Sequence, residues 1–125
     1  MRKISTRLLL AVLGAVALPA AAHHSFAIYD MEQNINFDGV VAVLKMRNPH
    51  MALTLKVTKD DGTTGMVEFV EGAPANMIVR MGLDPADIAV GMPIKAIGAP
   101  RRDDPNAYFL KAIILPDGRR FSVIN

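Results

Sequence analysis

An alternation of apolar and polar residues over residues 51–58 constrains the fold of this chain most strongly. The apolar positions are Met51, Leu53, Leu55 and Val57. Successive side chains of a β-strand point to opposite faces, so a period of two predicts a strand with one buried face. The Asp61-Gly62 pair that follows predicts a tight hairpin turn, with a further strand from about residue 63 to residue 70.

The rest of the chain adds strands around one helical segment. The other predicted strands cover residues 35–43, 92–99, 107–115 and, as a short addition, 121–124. Pro74 and Gly82 fit the first position and the end of a helix, and Asp84 before Pro85 predicts another helical turn. We therefore predict a mainly β fold, a small OB-like antiparallel barrel of five to six strands with one helix between strands three and four.

Residues 1–22 have the features of a secretory signal peptide. Its parts are a basic start (residues 2–7), a run of apolar residues and one glycine (8–18), and small residues at the cleavage site (Ala20 and Ala22). A membrane anchor is the alternative, but Pro19 interrupts the apolar stretch, which is shorter than the roughly 20 residues of a membrane span. We expect a periplasmic or secreted protein, with residues 23–125 forming a single domain with an N-terminal arm.

Removal of the signal peptide changes the charge of the protein. It takes away three basic residues and no acidic residue, so the formal net charge falls from +2 to −1. A nearly neutral domain has no general attraction for phosphate backbones, which argues against nucleic acid as a partner. The chain has no cysteine, so disulfides, thiolate ligands and an N-terminal lipidated cysteine are excluded, and stability must come from a hydrophobic core.

Several short motifs occur together along the chain. They are His23-His24-Ser25-Phe26, Asn48-Pro49-His50, the Gly-x-Pro of residues 72–74 with Arg80 and Gly82 beyond it, and Leu115-Pro116-Asp117-Gly118-Arg119. In this order and spacing the chain resembles the small exported bacterial proteins of domain-of-unknown-function family six-one-five-two, over essentially all of residues 23–125. The resemblance implies an OB-like periplasmic domain and no established activity.

The chain departs from this family pattern around its first loop. The family leads us to expect a tryptophan before Asn-Pro-His and aromatic residues soon after it. This chain has no tryptophan and has Met46, Met51 and Leu53 in that region, and Ala73 replaces a serine that would cap the helix. If relatives bind through those aromatic residues, this member has a different surface.

The three histidines are the concrete candidate for a metal site. Cleavage after Ala22 would give His23 a free amine, and this amine and the His23 ring would chelate one metal ion. His50 would complete a three-nitrogen set of the histidine-brace type, because it lies in a loop that a folded arm can reach. His24 would join instead through a deprotonated peptide nitrogen. Planar nitrogen ligands favour Cu(II), so copper is the candidate cofactor at His23, His24 and His50.

The same residues also have structural explanations. His23 and His24 would be solvated residues of a frayed terminus, and His50 would hold the Asn-Pro turn by hydrogen bonds. Met46 and Met51 would offer Cu(I) a soft ligand beside His50, or would simply fill the core as most methionines on apolar faces do. A cleavage point displaced by one residue would remove the amine chelate.

The alternative is a metal-free module that binds a small ligand or a partner protein of the cell envelope. OB barrels bind on the face of strands two and three and on the adjoining loops. Here that face would carry Thr54, Lys56, Thr58 and Glu68, beside the loop of Arg101 and Arg102. Because Asp103 and Asp104 follow these arginines, a self-neutralised loop is the competing interpretation.

No sequence signature of an enzyme is present. The chain lacks a nucleophile elbow, a His-Glu-x-x-His motif and a phosphate-binding loop. The acid pairs Asp60-Asp61 and Asp103-Asp104 occur in turn contexts, where aspartate is used for local structure. We therefore predict a binding module that is not an enzyme. Its expected partner is a small ligand, a metal ion or an envelope protein, rather than nucleic acid or, after signal removal, a membrane.

Overall fold

The computed structural model describes residues 26–122, so the predicted signal peptide, His23 and His24 lie outside the described residues. The strands are β1 (Ile35–Lys45), β2 (Ala52–Thr58), β3 (Thr64–Glu71), β4 (Pro93–Pro100), β5 (Ala107–Ile114) and β6 (Arg120–Ser122). Helix α1 (Ala75–Arg80) and a 3-10 helix (Pro85–Asp87) lie between β3 and β4. No helix within residues 26–122 has the length and apolar character needed to cross a membrane.

Strands β1 to β5 close into a barrel. β1 pairs with β2 and β4, β2 pairs with β3, and β4 pairs with β5, all antiparallel. A parallel pair closes the ring, in which Phe69 of β3 lies opposite Tyr108 of β5. β6 pairs with β5 as an extra strand. The predicted mainly β, OB-like barrel with a helix between strands three and four is therefore confirmed.

A bulge in the middle of β1 changes which of its side chains point into the barrel. Val41 lies opposite Leu55 while Val43 lies opposite Thr54, so Ala42 is an extra residue in β1. Val41 is buried and Val43 is exposed. Regular alternation along the strand predicted at residues 35–43 would place both valines on one apolar face. That prediction is wrong, because a bulge reverses the alternation after Val41.

Gly39 lies where β1 and β2 approach one another closely. It lies opposite Val57 of β2 and Ile94 of β4. A Cβ atom at this position would lie 2.8 Å from the carbonyl oxygen of Lys56. The absence of a side chain therefore lets β1 pass between its two neighbours as the barrel curves.

The barrel interior is filled by aliphatic and aromatic side chains. Its buried members include Val41, Met51, Leu53, Leu55, Phe69, Ile94, Leu110 and Ile113. Helix α1 adds Ile78, and the residue after the helix end, Leu83, also lies in this cluster. Both side chains are almost completely buried, so a short helix is anchored to the barrel mainly through two aliphatic contacts.

The ends of the helical segment follow the sequence signals. Gly82 has a φ of +99°, a left-handed conformation that suits glycine at a helix end. The Asp84 carboxylate accepts a 2.8 Å hydrogen bond from the Ala86 amide and so caps the 3-10 helix. Met77 and Met81, which share helical spacing with Ile78, are exposed. The helix therefore buries a narrow face, centred on Ile78.

The N-terminal arm, residues 26–34, lies on the outside of the barrel. Tyr29 forms an isolated antiparallel bridge with Arg101 and is only 2% exposed. Its neighbours in a second, small buried cluster are Ala99 and Phe109. Residues 26–34 are therefore held against the barrel through Tyr29.

Candidate functional site

His50 lies near the end of the loop that joins β1 to β2. Its Nδ1 lies 3.1 Å from the carbonyl oxygen of Gly72. A carbonyl oxygen only accepts hydrogen bonds, so Nδ1 donates and the neutral ring keeps its lone pair on Nε2. The residue is exposed. Metal-binding histidines are commonly oriented by such a hydrogen bond from the second ring nitrogen, so His50 has the form of a pre-oriented ligand.

The loop that carries His50 accepts hydrogen bonds from the first residues of α1. The Ala75 amide donates to the carbonyl oxygen of Arg47 at 3.2 Å, and the Asn76 amide donates to the Asn48 side-chain oxygen at 3.4 Å. Because the ring of His50 bonds to Gly72, it does not hold its own Asn-Pro turn. It connects the loop to the chain that leads into the helix.

The arm enters the described structure close to this part of the barrel. The ring of Phe26 lies 5.4 Å from the ring of Phe109, measured between centroids. Phe109 lies opposite Glu71 in the parallel pair. Glu71 immediately precedes Gly72, whose carbonyl holds His50. A short series of contacts thus connects the start of the described arm with the His50 ring. It runs from Phe109 to Glu71 across the strand pair, and then to Gly72, the next residue in the chain.

The other two predicted ligands, His23 and His24, lie outside the described residues. His23 precedes Phe26 by three positions, and three residues of extended chain span about 10 Å. Two neighbouring strand spacings in a sheet, at ~4.8 Å each, add up to a similar distance, so three residues can cross about two strands. Residues 26–122 contain no group of three or more histidine or acidic side chains that could hold a metal ion.

The two methionines proposed as soft ligands belong to the interior. Met51 is 1% exposed and is part of the core, and Met46 packs against the same cluster. The idea that either provides a sulfur atom to a metal at His50 is therefore not supported, because the buried thioether of Met51 faces aliphatic neighbours. Exposed methionines do occur in the described chain, at Met66, Met77 and Met81.

The predicted binding face consists of the outward side chains of β2 and β3. Outward side chains of β1 continue this face, and we call the three strands together the outer face. All four residues placed there from the sequence, Thr54, Lys56, Thr58 and Glu68, are at least partly exposed. The strand register puts Lys56 between Val40 and Met66, and puts Thr54 between Val43 and Glu68.

Sequence reasoning missed the apolar character of the outer face. Val40, Val43 and Met66 are 40%, 41% and 56% exposed. Val43 was missed because the bulge in β1 moved it outward. Met66 could have been found, since it alternates with Val67 in a strand whose other face was predicted to be buried.

A groove of about 370 Å³ crosses the outer face. Its lining includes Val43, Ala52, Thr54 and Val70 and the charged residues Lys45, Arg47 and Glu68. Among residues 26–122, neither Lys45 nor Arg47 has a carboxylate within salt-bridge distance. The groove therefore combines some exposed apolar side chains with two cations that have no carboxylate partner in the described chain.

The Arg101-Arg102 loop is electrostatically different. Arg101 donates to both carboxylate oxygens of Asp103, at 2.6 and 3.2 Å, and Arg102 lies 3.7 Å from a carboxylate oxygen of Asp30. The hydrogen bond between Arg101 and Asp103 raises the pKa of Arg101. The same hydrogen bond lowers the pKa of Asp103. Asp103 therefore neutralises Arg101 within the loop, whereas Arg102 is paired with Asp30 of the arm and not with Asp104.

Tyr29 and Glu71 meet beneath the arm. Burial, together with the negative charge and hydrogen bonding of Glu71, raises the pKa of Tyr29 to about 12. One carboxylate oxygen of Glu71, Oε2, is buried without a hydrogen-bond partner among the described residues. The phenol is therefore kept in its neutral form, and this contact serves to hold the arm.

Acidic residues at two turns have local structural roles. The Asp61 carboxylate accepts hydrogen bonds from the Thr63 amide at 2.9 Å and from the Thr63 hydroxyl at 2.6 Å, which lower the pKa of Asp61. The Asp104 carboxylate accepts from the Asn106 amide at 2.9 Å. Both bonds agree with the interpretation of these aspartates as turn residues.

Comparison with known proteins leaves one assignment. No curated protein matches the chain, and no solved structure does. The model of a family described as "Family of unknown function (DUF6152)" matches residues 11–108, which include β1 to β4 and the start of β5. This match covers most of the chain and spans the motifs noted in the sequence except Leu115 to Arg119, which follow it. The chain therefore belongs to the DUF6152 family.

Proposed function

We propose that this chain is an exported, periplasmic binding module rather than an enzyme, and that its ligand is Cu(II) bound by His23, His24 and His50. The observation that supports the proposal is the orientation of the His50 ring. Its Nδ1 donates to Gly72 at 3.1 Å, which leaves Nε2 as the free lone-pair nitrogen of an exposed residue.

The site would assemble only after signal cleavage. The new amine of His23 and its own ring nitrogen would bind one ion, and Nε2 of His50 or the His24 peptide nitrogen would complete the planar set. Support for a short path from the arm to His50 comes from Phe26, whose ring packs against Phe109, the residue opposite Glu71. Because the amine and imidazoles bind metal only when unprotonated, copper affinity should fall at acid pH.

The test uses protein exported with its own leader. Mass spectrometry of the purified protein should show His23 as the first residue. Copper titration of this protein should show one tight site, and His23→Ala and His50→Ala should each weaken it by about tenfold or more, as losses around metal sites typically do. Equal copper binding by both variants and the parent would refute the shared site.

One further variant isolates the contribution of the amine. Inserting an alanine between Ala22 and His23 keeps every imidazole but moves the amine away from the first histidine. We expect this insertion to weaken copper binding as strongly as His23→Ala does. Parent-like affinity with the inserted alanine still present in the mass spectrum would show that the amine is not a ligand.

The second candidate function is metal-free binding on the outer face. It is favoured by the groove of about 370 Å³, a size within the range of roughly 300–1,000 Å³ typical of small-ligand sites. Under this alternative the histidine variants leave ligand binding unchanged, and exported protein shows no stoichiometric copper binding.

A further inference from the structure

We propose that the groove on the outer face binds an amphipathic anion, a small molecule with an apolar body and one carboxylate or phosphate group. The proposal rests on a groove that places exposed apolar side chains, among them Val43 and Val70, beside two cations, Lys45 and Arg47, that lack carboxylate partners in the described chain. The inference names the ligand chemistry of the metal-free alternative and does not depend on the copper site.

Lys45 and Arg47 differ from the other basic positions because they line one groove together. Within the described residues, Lys56, Lys59, Arg80, Lys111 and Arg120 also lack a carboxylate partner, and the remaining cations are paired. Arg101, Arg102 and Arg119 each have a carboxylate partner, and Lys95 lies 3.2 Å from Asp38. Lys95 and Asp38 border another apolar groove, where the two charges neutralise each other. An anion entering that groove would have to displace a carboxylate, whereas Lys45 and Arg47 are already free to bind one.

The register sets the orientation of the ligand. Lys45 lies at the end of β1 opposite Ala52 of β2, and Glu68 lies on β3 opposite Thr54. Glu68 is therefore two strands from β1, about 10 Å at ~4.8 Å per strand. Its negative charge disfavours an anion on the β3 side, so the charged end should lie at Lys45 and Arg47.

The apolar end of the ligand would run across the sheet. Val43 and Val70 line the groove, and Val43 is 41% exposed. In the neighbouring row of the outer face, Val40 and Met66 are also exposed. Covering these side chains removes apolar surface from water, which supplies binding energy that a purely ionic contact at an exposed surface lacks.

Decanoate is the test ligand, added to the mature protein below its micelle concentration and followed by amide chemical shifts. We expect saturable shifts at β1, β2 and β3, and binding at least about tenfold weaker for decyltrimethylammonium, which has the same chain and the opposite charge. Decyl phosphate should bind at the same amides, and its affinity relative to decanoate would tell which head group is preferred.

Two matched double variants test the cations. Lys45→Gln with Arg47→Gln should weaken decanoate binding by about tenfold or more. Lys59→Gln with Arg80→Gln makes the same change in net charge at positions outside the groove lining and should leave the affinity within about twofold. Val43→Thr, nearly isosteric, should weaken binding by about fourfold through lost apolar contact.

Amide spectra must first confirm that each variant is folded, and the binding data then either support or overturn the proposed anion site. Absence of saturable binding, shifts centred away from β1 to β3, or equal weakening by both double variants would overturn the proposal. Decanoate binding that survives His23→Ala and His50→Ala separates this site from the copper site, so failure of one leaves the other standing.

Discussion

Tyr29 meets Phe109 edge to face, with ring centroids 5.6 Å apart and an interplanar angle of 66°. The two residues lie 80 positions apart in the chain, one in the N-terminal arm and one in β5. Aromatic pairs of this geometry contribute attraction beyond the area that they bury. The contact therefore fixes the course of the arm that would carry the predicted histidine ligands.

Truncation of Tyr29 should loosen this arm. Tyr29→Ala removes a side chain that is 2% exposed, and we expect the free energy of unfolding to fall by about 3 kcal/mol. Urea denaturation measures the change. Ile28→Ala, at a neighbouring position that is 36% exposed, is the control and should have a much smaller effect. Equal effects of both substitutions would show that the Tyr29 contacts do not stabilise the fold.

The raised pKa of Tyr29 predicts loss of stability in alkaline solution. The pKa of Tyr29 is about 12 in the folded chain, against an ordinary value of 10.0. The folded state therefore holds this proton more tightly than the unfolded state. Its contribution is complete below pH 10 and declines as the pH rises toward 12.

Ultraviolet absorbance of phenolate checks this window. The parent should show a late titration step that is absent from Tyr29→Phe, and the stability of Tyr29→Phe should decline less between pH 10 and 12. The chain has one other tyrosine, Tyr108, so the difference between parent and variant isolates Tyr29. A Tyr29 step at the ordinary pKa of a tyrosine would contradict the buried environment.

Helix α1 should depend on Ile78 for its attachment. Ile78→Ala removes a core contact from a side chain that is 1% exposed, so we expect a loss of about 3 kcal/mol in unfolding free energy. Val79→Ala changes the next residue, which is 45% exposed, and should have little effect. Chemical denaturation of both variants compares them. Similar losses would mean that α1 is stabilised by its own sequence.

Gly39 should resist substitution. A Cβ atom at this position would lie 2.8 Å from a backbone oxygen of Lys56, so Gly39→Ala forces β1 and β2 apart. We expect a loss of about 1–3 kcal/mol in unfolding free energy, as for other overpacked sites. In Gly65→Ala the nearest atom is the flexible Lys59 Cε at 3.4 Å, and thermal melting should show a smaller change. A larger change for Gly65→Ala would contradict the close approach.

The sequence contained most of the information about the barrel. Alternation at residues 51–58 and the turn at Asp61-Gly62 predicted β2, the hairpin and β3 almost as observed. The segment between Pro74 and Gly82 predicted α1, because proline and glycine act at helix ends through their own backbone preferences. Such local signals are readable from a single chain, since they do not depend on distant residues.

The missed features depend on long-range pairing. The exposure of Val43 follows from a bulge that is defined only by how β1 pairs with β2. That Lys45 and Arg47 have no carboxylate partner within residues 26–122 also follows only from the whole fold, because any acidic residue of the sequence is a possible partner. The hydrogen bond between His50 and Gly72 joins residues 22 positions apart and gives no periodic pattern in the sequence.

The parallel pairing of β3 with β5 has a consequence for shortened versions of this chain. Without Ala107 to Phe109, β3 would have unpaired backbone groups along one side, and β4 would lose its β5 neighbour. Unprotected strands of this kind recruit strands from other molecules. A fragment that stops before Ala107 would therefore self-associate instead of persisting as a smaller soluble domain.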